Sequence, residues 1–154
     1  MKESQRIITL FEDLYSGSPW LDVNIMGTLE ILTGEQAAKR VIGNVNTIWE
    51  IVNHLISWRM TLLERLQGSD VPSPENNYFL PVTDHSSTAW KNTLDQFTIS
   101  QEKWIQFLQG IKVNDLEMIL QGNSFTKYEL IHGTLQHDAY HLGQIRILAK
   151  LVTT

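Results

Sequence analysis

The chain reads as an all-α protein: a four-helix bundle with a short extra helical segment after the first helix and a long loop between the second and third. Three observations predict this. Apolar residues recur at helical spacing in four long stretches, giving each stretch one stripe to bury. Two stretches open on a capping box, Thr47-x-x-Glu50 and Thr126-x-x-Glu129, a pattern that satisfies backbone N–H groups left without partners at a helix start. Gly17, Gly68 and Gly110 stand where the first three stripes stop.

Residues 2–15 make the first helix, with Ile7, Ile8, Phe11, Leu14 and Tyr15 on one face and Gly17 and Ser18-Pro19 ending it. A shorter segment follows, packed through Val23, Ile25, Met26, Leu29 and Leu32, and Thr33 to Gln36 marks a turn and a short helix start. The second long helix runs from Thr47 to Gly68 on a stripe of Ile48, Ile51, Val52, Leu55, Leu62 and Leu66. Residues 69–83 hold Pro72, Pro74 and Pro81 with Asn76-Asn77, a long connection of the kind that forms lids and binding loops. Asp84 is the expected cap of the third helix, which runs to about Gln109 on Trp90, Leu94, Phe97, Trp104 and Leu108. A connection with the apolar patch Met118 to Leu120 leads to the last helix, from Thr126 to about Leu151.

The length suits a single domain over residues 1–154. With 42% hydrophobic and 19% charged residues the composition is that of a folded protein, not a disordered one. A net charge of −5 and the lack of a basic stripe argue against nucleic acid as a partner. The absence of cysteine removes disulfides, thiolate ligands and a cysteine nucleophile. No apolar run approaches a membrane span and the N-terminus lacks the apolar core of a signal peptide, so a cytoplasmic location is the expectation.

Chemistry concentrates in the last helix. His137 and His141, four residues apart, project from one face about one turn from each other, and Gln144 extends the same ridge. Two such imidazoles can share a metal ion if another element supplies a third ligand, and His54 on the second long helix is the candidate. On a helical wheel His54 falls at the edge of the apolar arc, beside Trp58, a place that suits a crevice between helices or a surface rim. His132 points about 140° away from His137 and packs elsewhere, and His85 is a first-turn surface residue. The bland alternative for the pair is two polar residues on a half-exposed face. For Trp58 and Tyr140 it is a core or rim aromatic, and for Gln144 simple solvent exposure. Two metal motifs are near misses. A zincin requires His-Glu-x-x-His where this chain has His137-Asp138. A di-iron bundle requires two Glu-x-x-His motifs where this chain has only Glu129 to His132.

Several segments together resemble the DinB-like superfamily of four-helix bundle proteins: Trp20 before Leu32 to Ala37, then Thr47 to Trp58, then Phe125 to Tyr128, His132 and the run from His137 through Tyr140 and His141 to Gln144. The resemblance implies a divalent metal, zinc or nickel, held by His54, His137 and His141; Trp58, Tyr140, Gln144 and Glu50 are the candidates for a surrounding shell or pocket. It also implies a homodimer and, for some proteins of this fold, chemistry on a low-molecular-weight thiol co-substrate as an S-transferase or isomerase. Three neutral imidazoles leave a tetrahedral ion one open position, the arrangement of catalytic sites. The leading expectation is a metal-dependent enzyme of thiol S-transferase type acting on a small molecule. A metal-water hydrolase and a non-catalytic binding or stress-related bundle are the alternatives. The last is motivated by the lack of an evident general base: Asp138 points about 100° from His137. Glu50, one turn before His54, is shared with the capping box.

Overall fold

The computed structural model describes residues 2–120 and 122–154. Its helices are α1 (Glu3–Tyr15), α2 (Ile25–Leu29), α3 (Gly34–Ala38), α4 (Ile48–Leu66), α5 (Ser87–Gly110), α6 (Val113–Leu116) and α7 (Lys127–Thr153). The four long helices are the expected bundle. The local signals that start them act as the sequence suggests: Thr33, Thr47 and Thr126 each close a full capping box, with Gln36, Glu50 and Glu129 reaching back. The extra segment after α1 proves to be two short helices, and α6 is a further turn not signalled by periodicity. Among the described residues the β pairing is limited to an isolated bridge between Ile119 and Thr126.

Two expectations are corrected. Asp84 does not cap α5. Its carboxylate accepts from Ser86 N in a tight turn, and Ser86 takes the cap through a bond from Ala89 N, moving the helix start to Ser87. Leu62, expected on the apolar stripe of α4, is only partly buried against the second core cluster, and Leu63 beside it is the buried leucine. Gly34, in the segment ahead of α4, is required by crowding: a Cβ there would stand 2.5 Å from the carbonyl oxygen of His85.

The core falls into two clusters. One gathers Leu14 and Tyr15 of α1, Ile48 to Leu55 of α4, Trp90 and Phe97 of α5, and Leu142 to Val152 of α7. The other gathers Ile7 to Phe11, Leu63 and Leu66, Trp104 and Leu108, and Ile131. This division sets the direction of each helix: α1 and α7 run one way, α4 and α5 the other. Neighbours that run parallel need a long crossover, which is the physical reason for the connection between α4 and α5. Between the clusters lies a transverse polar layer of Arg59, Ser100, Gln101, Thr134 and Asp138, all buried. Arg59 donates to Asp138 at 2.5 Å and lies over the Phe97 ring.

No helix is long and apolar enough to cross a membrane among the described residues.

Candidate metal centre

The antiparallel packing of α4 on α7 brings His54 against His137 and His141, which are 83 residues away in sequence for the first pair. The three Nε2 atoms face one another: His137 Nε2 lies 2.9 Å from His54 Nε2 and 3.1 Å from His141 Nε2. The His54 and His141 rings are held from behind. His54 Nδ1 donates to the Asn77 carbonyl at 2.7 Å, and His141 Nδ1 donates to Gln144 Oε1 at 2.7 Å. Each of those nitrogens carries the proton, so each Nε2 presents a lone pair to the centre. Burial pushes the His54 and His141 pKa values below 6.5, that of His141 to about 4, with the neighbouring His137 adding to the shift. Both are therefore neutral near pH 7, the form that binds metals.

This donor set fits a divalent ion. A neutral His137 can hand an Nε2 proton to one neighbour only, which leaves a lone pair facing inward without a donor. Nitrogens about 2.0–2.1 Å from a tetrahedral ion stand roughly 3.3 Å apart, within a few tenths of an ångström of the two spacings seen. The three-histidine group could hold a metal ion.

The sequence places His54 at the edge of its apolar arc, yet it is only 1% exposed. The connection after α4 folds over it as a strap. Phe79 stacks flat on the His54 imidazole, 4.1 Å between centroids and 6° between planes. Asn77 Oδ1 accepts from the Trp58 indole N–H at 2.7 Å, and the Tyr78 hydroxyl bonds to Thr61. Asn77 and Tyr78 hold φ values of 51° and 63°, left-handed backbone that asparagine tolerates and a bulky aromatic does not adopt without strain.

Of the residues the sequence set around the histidines, Gln144 touches His141, and through its Nε2 it donates to the Tyr140 hydroxyl. Tyr140 is otherwise exposed. Trp58 borders the site, its ring 6.4 Å from His137. Glu50 turns toward the helix cap, where its carboxylate accepts from Thr47 N and from Arg40, and among the described residues no hydrogen bond joins it to a histidine. His132 stays out of the group and packs at a tilt against Tyr128, 4.3 Å between centroids and 44° between planes, and His85 is exposed and bonded to the Val82 carbonyl.

Sequence reasoning missed Asn77, Phe79 and the Arg59–Asp138 pair. The strap residues sit in a stretch without periodicity and carry no local signal. The pair did leave one. At about 100° per residue, Arg59 lies roughly 20° from Val52, and Asp138 roughly 20° from Ile145. Opposite charges in the middle of two facing apolar arcs call for each other. Asp138 Oδ1 also lies 3.9 Å from His137 Nδ1, so the buried carboxylate stands behind the third imidazole.

Beside His137 opens a cavity of about 820 Å³, walled by Trp58, Leu62, Phe125, Tyr128 and Leu130. An all-α bundle with three convergent imidazoles at the mouth of a cavity defines a class: helical-bundle proteins with a three-histidine group able to hold a metal ion. The family model described as the DinB superfamily matches residues 24–145, and the chain belongs to that superfamily. Comparison with curated proteins and with solved structures gave no match.

Proposed function

We propose that this protein is a metal-dependent enzyme of thiol S-transferase type, using zinc or nickel on His54, His137 and His141. The observation that carries the reading is the convergence of three Nε2 atoms beside a cavity large enough for a small molecule. Imidazole donors suit either metal. When bound, a divalent ion supplies Lewis acidity, which lowers the pKa of a thiol or water at its open position.

The chain's own residues do the rest. Asn77 and Gln144 hold two imidazoles in the tautomer that offers Nε2, and Phe79 fixes the plane of His54 and shields it from water. His137, the least buried of the three, stands on the cavity side. With no cysteine in the chain, the thiol is a small-molecule co-substrate. Its S–H proton leaves to solvent, its sulfur bonds the electrophilic carbon, and the leaving group departs with the electron pair.

The carboxylates nearest the histidines in sequence are committed, Glu50 to Arg40 and Asp138 to Arg59. A thiol ionised at the site needs no separate base, so this favours thiol chemistry over a zincin-like hydrolase. The same observation supports a second reading, a non-catalytic metal- or ligand-binding bundle.

Two measurements separate the readings. Elemental analysis should find near one equivalent of transition metal, lost in His137→Ala. Metal-loaded protein should then accelerate attack of a thiol on a chlorodinitroarene, releasing chloride. Metal without turnover across several thiols would leave the binding reading. No metal after reloading would remove the three-histidine site and the enzyme reading, leaving a bundle that binds a ligand without metal.

A further inference from the structure

We propose that the cavity beside His137 is a binding site for a small aromatic or branched-alkyl anion, with its apolar body on Trp58 and its carboxylate or sulfonate on Arg65. The inference deepens the proposed function and rests on it only for the chemistry done at the ligand's other end.

Trp58 is the floor. Its indole N–H is fixed by Asn77, so the ring cannot swing away. His137 flanks one side of the indole at 6.4 Å, and the Arg65 guanidinium lies over it at 5.5 Å from the ring. A small ligand packed against the edge of this indole is therefore near both His137 and the Arg65 cation. Phe125, Tyr128 and Leu62 complete an apolar enclosure around it.

Arg65 is held in place by neutral acceptors alone. Nε donates to the Val71 carbonyl at 2.8 Å and Nη2 to Ser73 Oγ at 2.9 Å. No carboxylate lies within ion-pairing distance of it among the described residues. Its charge is oriented but not neutralised, unlike those of Arg40 and Arg59, which each have an acidic partner. The one acidic side chain of the cavity wall, Glu129, turns its carboxylate back to Thr126 N and Oγ at the helix cap. The other polar side chains of the wall include the amides of Asn77, Asn123 and Gln136, the Thr134 hydroxyl, and His132 and His137. Apolar side chains beside one fixed cation with no acidic partner favour an amphipathic anion over a polyamine.

The test uses 1-anilinonaphthalene-8-sulfonate and its uncharged counterpart N-phenyl-1-naphthylamine, titrated by fluorescence into the folded, metal-free protein. Saturable binding of the sulfonate is expected. Arg65→Met should weaken it roughly tenfold, the size of one charge-assisted contact, while the uncharged probe changes less than about twofold. Ser73→Ala removes the loop contact but keeps the cation and should change neither. Gly133 lines the cavity, and a Cβ there meets nothing within 4 Å. Gly133→Leu should therefore fold and weaken both probes. The proposal is overturned if the sulfonate does not saturate, if Arg65→Met affects both probes alike or neither, if Ser73→Ala reproduces the Arg65→Met loss, or if Gly133→Leu leaves binding intact. Because no metal is present, a failure of metal loading or turnover would refute the proposed function and leave this result standing.

Discussion

Removing the Arg59 side chain should be among the most damaging single changes in the bundle. Arg59 is 1% exposed and Asp138 2%. Arg59→Met keeps much of the volume and the contact with Phe97, but leaves a carboxylate in the core without its counter-charge. Breaking one side of a buried pair costs about 3–5 kcal/mol. For a chain of this size each kcal/mol lowers Tm by about 2–4 °C, so a fall of roughly 6–20 °C is expected. The pair itself is not well satisfied, since Arg59 Nε and Nη1 are buried without partners. Removing both charges, in Arg59→Met with Asp138→Leu, should thus recover most of the loss and can exceed the parent stability. Urea unfolding of the metal-free protein at pH 7, with both single variants and the double, measures the coupling. A loss under about 1 kcal/mol in Arg59→Met would refute the reasoning, as would a double variant that merely sums the singles.

Gln144→Ala frees the His141 ring and should weaken metal binding about 10–100-fold in chelator competition while leaving the fold intact; an unchanged affinity would show that Gln144 does not orient that ligand. Glu50→Gln should lower stability by about 1 kcal/mol through the lost Arg40 pair and change metal affinity less than about twofold; a tenfold loss would return Glu50 to the site. The metal-free protein should weaken in acid. The folded His141 pKa, about 4, lies below the unfolded value near 6.5, so between those pH values the unfolded chain binds more protons and stability falls as pH falls. By pH 4 this single group removes about 3 kcal/mol, and the acid sensitivity of His141→Gln should be smaller by that amount. Equal pH profiles for the two proteins would contradict it.

What could be read in advance was local. A capping box is a four-residue pattern and a helical stripe needs one helix, so Thr47, Thr126 and the face of α1 were legible without any tertiary information. Asp84 was the wrong cap for α5 because aspartate and serine cap alike, and only the path of the strap gives the position to Ser86. The histidine group was half legible: spacing pairs His137 with His141 and the second helix offers His54 as a candidate, but their meeting depends on how α4 packs against α7. The burial of His54 was not legible at all. It depends on Asn77 and Phe79, whose positions follow from a crossover demanded by two parallel helices, a property of the whole bundle. Trp20 shows the converse: part of the recognisable pattern, it is 95% exposed and packs on little.

The buried rung between the two apolar clusters also acts as an alignment mark. Grease packs almost as well on grease after a slide of one helical turn, about 5.4 Å, so the clusters by themselves specify the relative height of α4 and α7 only loosely. A lone pair of opposite charges tolerates no such slide, because one turn strands both. His54 precedes Arg59 on α4, and His137 and His141 flank Asp138 on α7. The rung thereby measures out where the imidazoles stand, and it does so from inside the core, beyond the reach of any ligand that comes or goes.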